Sequence, residues 1–295
     1  MKFTLIGGAG FIGQVLANHF DKAGHEVVVI DSFTYGQSKN FLSTIEVIED
    51  DILNITRHTA HLNTSDFIFY MASPRLNEIN DLPQPLPHIE GLKKTLDICE
   101  NNTAKVVFFS SCSVYGYRKN LVNEQSPTKV TSLYSKLKID SENLLKRYDN
   151  PRYKIVRLST LYGISTVSRN DLLINNFVKD ILFSRYLEVY DPLAWRPNID
   201  IRTLTEVLLK LSEEDKFTDV LNIGFNKLNI TKQDLILTLV TQNKLDFTVK
   251  YYSPDDSRSY KVDFSQLENL INVDVHQYVD GINDLIQDFK NNVNV

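Results

Sequence analysis

Short apolar runs alternate with longer amphipathic segments through the first half of the chain. Each apolar run ends at polar residues or glycines, which is typical of strands buried on both faces. Between several of these runs, apolar positions recur at the spacing of a helix. The strand candidates are Thr4–Ile6, Val27–Ile30, Ile45–Ile48, Phe67–Met71, Val106–Ser110 and Ile155–Leu158, and the helix candidates include Ile89–Glu100 and Leu133–Tyr148. This alternation predicts an α/β fold with a parallel sheet that carries helices on both faces.

The rhythm of strands and helices changes after Tyr162. The polar segment Ile164–Asn170 predicts a loop, and so does the earlier segment Asn77–His88, because it carries prolines at positions 83, 85 and 87. Later candidates are the helices Leu172–Phe183 and Leu204–Ser212, the strands Leu187–Tyr190 and Val220–Ile223, and a helix that ends the segment Val273–Asn291. We expect Val220–Ile223, which is followed by a glycine, to return to the main sheet as a late strand.

The first strand candidate runs directly into a glycine-rich loop that holds Gly7, Gly8, Gly10 and Gly13. Glycine permits a tight turn and a close approach to a pyrophosphate, and the N–H groups at the start of the next helix face the anion. The following strand ends at Asp31, where a dinucleotide-binding fold places an acid that accepts hydrogen bonds from the adenosine ribose. These elements predict a dinucleotide site, with an ordinary strand–turn–helix as the alternative.

Length and pattern together predict the domain organisation. The chain has 295 residues, which suggests about two domains at ~150 residues each. We predict a Rossmann-like, doubly wound NAD-binding domain over residues 1–160, to which residues 199–223 return. A smaller C-terminal α/β substrate-binding domain then covers residues 161–295, mainly 161–198 and 224–295.

Composition and charge exclude several classes of protein. The formal net charge of −5 and the pI of about 5.7 show no basic footprint for nucleic acid. No apolar run approaches the ~20 residues that cross a membrane. The two cysteines, Cys99 and Cys112, make no disulfide framework and show no metal-ligand spacing. We therefore expect reduced thiols, no metal ion, no membrane contact and a cytoplasmic location.

Three polar residues after the dinucleotide signature are candidates for catalysis. Ser111 follows an apolar strand, and Tyr134 and Lys138 lie one helical turn apart, so their side chains share a face. A free phenol has a pKa near ~10 and is a poor base at neutral pH. We expect the Lys138 ammonium to favour the phenolate by roughly 3–4 kcal/mol and so make Tyr134 a general base, with Ser111 holding the same oxygen. Each feature alone is also typical of an exposed helix or a helix cap.

In these motifs the chain resembles the extended short-chain dehydrogenase/reductases, and within them the NAD-dependent enzymes that epimerise or dehydrate nucleotide sugars. The resemblance implies NAD as cofactor, a nucleotide-diphosphate sugar as substrate, and a homodimer paired through the helices around Ile89–Glu100 and Tyr134–Tyr148. The cofactor-binding positions that it implies are Gly7, Gly10, Phe11, Ile12, Gly13, Asp31, Asp51, Ile52, Met71, Ala72, Tyr134 and Lys138. The catalytic positions are Ser111, Tyr134 and Lys138, and the substrate-binding positions are Ser111, Tyr134, Thr160, Arg196 and Arg258.

The resemblance also implies roles for other residues, and at some positions the chain departs from the family's usual pattern. Arg196 and Arg258 would grip the phosphates of the sugar nucleotide by charge-assisted contacts. Glu142 falls on a glutamate that commonly follows the lysine. His88 stands where the family often has an asparagine that contacts the cofactor, and we interpret it as a loop residue. Thr160 stands where the family often has a second asparagine.

The branches of this family share a first step, in which the tyrosine takes the proton of the sugar 4-hydroxyl while C4 passes hydride to NAD. Dehydratases and decarboxylases then need a further acid or base, usually a carboxylate just before the Val-Tyr-Gly segment. This chain has Cys112 and Ser113 there, and a neutral thiol is a poor substitute. We therefore predict an epimerase that returns hydride to the opposite face of C4. The alternatives are a 4-keto-sugar reductase and, less favoured, a 4,6-dehydratase or a non-catalytic NAD(P)-binding sensor.

Overall fold

The computed structural model describes residues 1–34, 40–74, 87–253, 259–275 and 278–292. The strands are β1 (Lys2–Ile6), β2 (Glu26–Asp31), β3 (Glu46–Glu49), β4 (Phe67–Tyr70), β5 (Lys105–Ser111), β6 (Tyr153–Leu158), β7 (Thr160–Tyr162), β8 (Tyr186–Tyr190), β9 (Trp195–Asp200), β10 (Val220–Ile223), β11 (Asn229–Thr231) and β12 (Thr248–Tyr252). The helices are α1 (Phe11–Lys22), α2 (Thr59–Thr64), α3 (Pro87–Cys99), α4 (Leu133–Arg147), α5 (Leu173–Ser184), α6 (Ile201–Glu213), α7 (Lys232–Thr241), α8 (Ser265–Leu270) and α9 (Tyr278–Asn292).

The main sheet has seven parallel strands in the order β3-β2-β1-β4-β5-β6-β10. Winding starts at β1 and proceeds outward in both directions, so the strand order reverses between β1 and β4. At such a switch point the carboxyl ends of neighbouring strands leave a crevice, in which α/β folds bind their ligands. The predicted doubly wound parallel sheet is confirmed, and so is the return of Val220–Ile223 to it beside β6.

Helices cover both faces of the main sheet because successive strand residues point to opposite sides. Phe3 and Leu5 of β1 are fully buried on one face, against apolar side chains of α1 and α6. Ile30 and Ile68 are buried on the other face, against α2, α3 and α4. Strands with two buried faces read as continuous apolar runs, which is why the hydrophobic pattern identified them.

The second half of the chain adds two small sheets and a separate core. The strands β11, β9 and β7 form one sheet, and β12 and β8 form the other. Ile174 and Val178 of α5 pack with Leu235 of α7 and Ile282 of α9 in this core. We refer to these two sheets and the helices α5, α7 and α9 as the C-terminal unit. None of the described helices is long and apolar enough to span a bilayer.

The hydrophobic pattern gave a wrong prediction at the start of α3 and failed to predict several other elements. Pro87 and His88, predicted to end a loop, are the first residues of α3. Proline suits this position because the N–H that it lacks would have no intrahelical partner. The rest of that predicted loop, residues 77–86, lies outside the described residues. The elements β7, β9, β11, β12, α2, α7 and α8 were not predicted. All of them except α7 have six residues or fewer, so their hydrophobic patterns are too short to identify an element.

Candidate active site

A cavity of about 860 Å³ lies at the carboxyl ends of the main-sheet strands and reaches across to the C-terminal unit. This volume is near the upper end of the roughly 300–1,000 Å³ usual for small-molecule sites. Every site residue predicted from the sequence lines it except Arg258: these are Gly7, Gly10, Phe11, Ile12, Gly13, Asp31, Asp51, Ile52, Met71, Ala72, Ser111, Tyr134, Lys138, Thr160 and Arg196. Arg258 lies outside the described residues.

Two glycines of the loop after β1 are required by the fold itself. Gly7 has a φ of +77°, and a Cβ there would lie 2.4 Å from the backbone nitrogen of Ala72. A Cβ on Gly13 would lie 2.3 Å from the carbonyl oxygen of Gly8. The loop is therefore pressed against the end of β4 on one side and against the first turn of α1 on the other.

Gly10 is different, because the protein leaves room for a side chain there. Its φ is −80°, which any residue can adopt. A Cβ would meet nothing nearer than the carbonyl oxygen of Gly7, at 3.8 Å. The absent side chain instead keeps the cavity wall open at the N-terminus of α1, which is what the close approach of a pyrophosphate needs. The loop therefore fits a dinucleotide.

The carboxylate of Asp31 stands at the end of β2, on the wall of the cavity. Its Oδ2 accepts a hydrogen bond from the N–H of Ala9 and its Oδ1 accepts one from the N–H of Phe33, both at 2.8 Å. Burial raises the pKa of Asp31, while these backbone hydrogen bonds lower it. A carboxylate has about four lone-pair sites, so both oxygens can also accept hydrogen bonds from a ribose diol. Asp31 thus fits the adenosine half of NAD.

We expect Gly10→Ala to weaken NAD binding about tenfold or more, ~1.4 kcal/mol, because the new methyl group occupies space that the pyrophosphate needs. Its melting temperature should stay near that of the wild type, since the methyl group meets no protein atom closely. Titration calorimetry with NAD and thermal unfolding measure the two effects. Gly13→Ala is the matched control, and it should lose stability because its Cβ overlaps backbone. Unchanged NAD affinity in Gly10→Ala would contradict this reading of the loop.

Local structure places the three catalytic candidates. Ser111 ends β5, and its Oγ accepts a hydrogen bond from the N–H of Ser113 at 3.2 Å. Tyr134 lies in the first turn of α4, which Ser132 and Ser135 begin with a capping box. Ser111 and Tyr134 both line the cavity, and hydrogen bonding by the Ser111 side chain lowers the pKa of the Tyr134 hydroxyl. The end of β5 and the start of α4 are therefore neighbours at the cavity wall.

Lys138 follows Tyr134 by one turn and points into the protein. Its side chain is buried, and its Nζ donates a hydrogen bond to the carbonyl oxygen of Phe109 at 2.8 Å. The Nζ lies 5.6 Å from the centre of the Tyr134 ring. The structure thus brings together Ser111, Tyr134 and Lys138, as predicted.

The predicted electrostatic effect of Lys138 on Tyr134 is wrong for the protein alone. Burial raises the pKa of Tyr134, while Arg169 and the hydrogen bond with Ser111 lower it. Burial also lowers the pKa of Lys138 to about 7, although the nearby carboxylate of Glu142 raises this pKa. The positive charge of Lys138 is therefore much less stable at neutral pH than that of an exposed lysine, because the buried site penalises the charged form.

A buried ion pair lies behind the catalytic candidates. The carboxylate of Glu142 accepts hydrogen bonds from Arg157 at 3.0 and 2.6 Å and from the hydroxyl of Ser110 at 2.6 Å. The side chains of Glu142 and Arg157 are only 1% and 2% exposed. The guanidinium also donates to the Tyr115 hydroxyl at 2.9 Å. This network ties α4 to β5 and β6, and so holds the helix that carries Tyr134 and Lys138.

Three residues of the cavity wall were missed by the sequence analysis. His88, which was predicted to lie in a loop, is in the first turn of α3. Its Nδ1 is buried without a hydrogen-bond partner, and burial and Lys138 lower the pKa of this imidazole to about 4. Arg169 lies in the predicted loop Ile164–Asn170 and Asp171 directly follows that loop. The two residues form a two-bond ion pair at 2.7 and 2.8 Å. Their only sequence signal was opposite charge two positions apart.

The C-terminal unit contributes basic side chains to the cavity. Arg196 of β9 is buried, and its Nη1 donates to the carbonyl oxygen of Trp195 at 3.0 Å. Lys232 begins α7, and its Nζ donates to the carbonyl oxygen of Tyr190 at 2.6 Å. Both residues line the same cavity as the catalytic candidates, so one chamber holds those candidates together with basic side chains of the C-terminal unit.

The cysteine beside Ser111 is unsuited to proton transfer. The Sγ of Cys112 donates to the carbonyl oxygen of Arg157 at 3.2 Å, and burial raises the pKa of this thiol well above its usual value. Burial raises the pKa of Cys99 to about 12. Both thiols are neutral at physiological pH.

Known proteins of similar sequence and structure catalyse several reactions. UDP-glucuronic acid decarboxylase 1 of Arabidopsis thaliana is 23% identical over 99% of this chain and 71% of its own length. An NAD-dependent NDP-hexosamine 5,6-dehydratase superposes with a TM-score of 0.86 at 23% identity, covering 98% of both chains. UDP-glucuronic acid 4-epimerase from Bacillus cereus, solved with UDP-glucuronic acid and NAD, superposes with a TM-score of 0.84 at 24% identity, covering 99% of both chains. These likenesses establish a common fold.

The family itself is established by a sequence match over most of the chain. The pattern of the NAD dependent epimerase/dehydratase family matches residues 3–224. The match spans the glycine loop, Asp31 and the catalytic candidates, and the geometry of the loop and of Asp31 fits NAD. This chain is therefore an enzyme of the NAD-dependent epimerase/dehydratase family, with NAD as its cofactor.

Proposed function

We propose that this enzyme is a nucleotide-sugar 4-epimerase. The observation that carries the proposal is the arrangement of Ser111 and Tyr134, which line a cavity large enough for cofactor and sugar and whose side chains interact there. Such a pair can remove a proton from one sugar hydroxyl and give it back. No other chemistry is needed from the protein for inversion at a single carbon.

In the proposed mechanism, Tyr134 accepts the proton of the sugar 4-hydroxyl, and Ser111 donates a hydrogen bond to the oxygen that becomes the carbonyl. Bound NAD supplies a reversible hydride acceptor, which oxidation at C4 requires. The keto sugar then turns in the cavity to present its other face, and Tyr134 returns the proton to its oxygen. Glu142 and Arg157 act from behind by keeping α4 in place.

The side chains on the sugar-facing wall favour epimerisation over elimination or decarboxylation. Those reactions need a second acid or base beside the sugar. Cys112 is a neutral buried thiol, and Ser113 carries no charge. Among the described residues, the carboxylates that line the cavity are those of Asp31, Asp50, Asp51 and Asp171. Asp171, which belongs to the C-terminal unit, accepts two hydrogen bonds from Arg169.

We further propose that the substrate is a UDP-sugar. Arg196 and Lys232 supply the positive charge that a diphosphate needs, and Thr160 lies on the same wall. The relatives named above include enzymes of UDP-glucuronic acid. The proposal also includes Arg258 as a phosphate-binding residue, on the basis of its sequence motif alone. The predicted division into an NAD-binding and a substrate-binding domain, the homodimer and the cytoplasmic location also stand as proposals.

The test is a panel of UDP-, dTDP-, GDP- and CDP-sugars, hexoses and uronic acids among them, followed by NMR of the products. We expect one pair of C4 epimers to interconvert from either side without net change in NADH. Stoichiometric oxidation of NADH or NADPH would indicate the keto-reductase instead. Loss of water or of carbon dioxide would indicate a dehydratase or a decarboxylase, and each of these outcomes would overturn the epimerase proposal.

A further inference from the structure

A cluster of hydrogen bonds centred on Asp50 lies where β3 ends, beside the part of the wall that fits the adenosine half of NAD. Asp50 and Asp51 both line the cavity. The backbone N–H of Asp50 donates to the carbonyl oxygen of Asp31 at 3.0 Å. The next residues, Ile52–His58, form a 3₁₀ helix whose N-cap is Asp51. The position of Asp51 relative to Asp31 therefore depends on the turn at Asp50.

The carboxylate of Asp50 is bound mainly within the protein. Its Oδ1 accepts hydrogen bonds from the backbone N–H of Asp51 and from Nδ2 of Asn54, both at 2.8 Å. Its Oδ2 accepts a hydrogen bond from Nε2 of His58 at 2.9 Å. The side chains of Asp50 and His58 are 15% and 13% exposed. Because a carboxylate has about four lone-pair sites, these contacts make Asp50 a structural link rather than a free ligand.

The charge of Asp50 strengthens this link. Hydrogen bonds from Asn54 and His58 lower the pKa of Asp50 to about 2, so its carboxylate is ionised at neutral pH. An ionised carboxylate only accepts hydrogen bonds, so Nε2 of His58 carries the hydrogen. Hydrogen bonds to a charged group are stronger than those between neutral groups. Arg57 lies 3.7 Å from the same oxygen, but its side chain is 68% exposed, so it contributes little.

His58 connects the two ends of the 3₁₀ helix, because it is the last residue of that helix and its side chain binds the residue that precedes the N-cap. At the N-cap, Oδ1 of Asp51 accepts a hydrogen bond from the N–H of Leu53 at 2.8 Å. The carboxylate of Asp51 can accept further hydrogen bonds, which the amino or hydroxyl groups of an adenosine can donate. On the other side α3 packs closely, since a Cβ on Gly91 would lie 2.2 Å from Cγ1 of Ile52.

We propose that His58 is a positioning residue for the adenosine half of NAD: through Asp50 it fixes the turn that places Asp51 beside Asp31. His58 itself does not line the cavity, whereas the three aspartates do. Its effect on the cofactor must therefore pass through Asp50. The inference concerns cofactor binding and is independent of the reaction that the enzyme catalyses.

The test uses ADP as the probe, because ADP carries the adenosine half of NAD without the nicotinamide. In titration calorimetry we expect His58→Ala to bind ADP about three- to tenfold more weakly than the wild type, as for the loss of roughly one net hydrogen bond. The affinity for NAD should fall by the same factor. In His58→Gln the side-chain amide can donate in place of Nε2, so the affinity should stay within about twofold of the wild type.

His61→Ala is the matched control. His61 lies on α2, and its Nε2 is 3.6 Å from Oε1 of Glu46. Neither residue of this pair lines the cavity, so ADP affinity should equal that of the wild type. The route through Asp50 is tested by a double variant. Asp50→Ala should weaken ADP binding, and adding His58→Ala to it should cause no further loss, because residues that act as a unit are not additive.

Several outcomes would overturn the proposal. These are wild-type ADP affinity in His58→Ala, an equal loss in His61→Ala, additive losses in the double variant, and a loss of NAD affinity that ADP does not share. If His58→Ala fails to fold, Asn54→Ala tests the same link from Oδ1, and unchanged ADP affinity there would also contradict the proposal. No sugar is present in these titrations, so failure of the epimerase assay would leave their result unaffected.

Discussion

Tyr134→Phe is expected to lower kcat about a hundred- to ten-thousandfold, the range over which a general base contributes, while NAD stays bound. The substitution removes the hydroxyl that is proposed to act as the base, so no group remains to accept the sugar proton. The phenyl ring keeps its packing against Leu137, so the fold should be unchanged. The measurements are kcat with the epimerised sugar and the NAD released on denaturation.

Tyr148→Phe is the matched control for this prediction. Tyr148 lies at the other end of the same helix, where its hydroxyl donates to the carboxylate of Asp97. We expect its turnover and NAD content to match those of the wild type. A Tyr134→Phe enzyme with wild-type turnover would remove Tyr134 from the mechanism, and loss of NAD together with turnover would assign it a binding role instead.

Arg157→Met is expected to destabilise the protein by about 3–5 kcal/mol, because it leaves the carboxylate of Glu142 buried without its cationic partner. The pair is 1% and 2% exposed, so solvent cannot replace the lost hydrogen bonds. For a chain of this size, each kcal/mol lowers the melting temperature by roughly 2–4 °C. Thermal and urea unfolding should therefore show a drop on the order of 10 °C.

Two further variants make the prediction specific to burial. The double variant Arg157→Met with Glu142→Leu removes both charges and should recover much of the lost stability, since no buried charge is left unpaired. Lys93→Met breaks the exposed pair with Asp97 on α3, whose side chains are 59% and 46% exposed, and should cost no more than ~1 kcal/mol. Equal losses of stability in Arg157→Met and Lys93→Met would show that burial does not increase the contribution of the ion pair to stability.

The parts of the site that sequence reasoning identified are those whose chemistry is local. The glycine loop, the strand before it and the helix after it are contiguous, so their order alone predicts a phosphate cradle. Tyr134 and Lys138 are one turn apart, and helical geometry places them on one face whatever surrounds them. The charge of Lys138 could not be predicted in the same way, because its pKa depends on burial among strands far away in the chain.

Residues that act across long separations were missed or left without a role. Glu142 accepts hydrogen bonds from Ser110, which is 32 positions away in the sequence, and from Arg157, which is 15 positions away. No local sequence pattern predicts either contact. His88 was read as a loop residue because neighbouring prolines masked the start of α3. Arg169 lies in a segment that predicts only a loop and Asp171 directly follows that segment, so only tertiary packing places them at the wall of the cavity.

Short-range periodicity and motif order were sufficient to predict the α/β architecture, the dinucleotide site at the end of β1, and the candidates Ser111, Tyr134 and Lys138. Which of these side chains carry a charge depends on tertiary contacts. Burial disfavours the ammonium of Lys138 and the phenolate of Tyr134, and the balance then depends on groups brought in from elsewhere in the chain. The catalytic candidates can thus be identified from the local sequence, whereas their protonation depends on burial in the folded cavity.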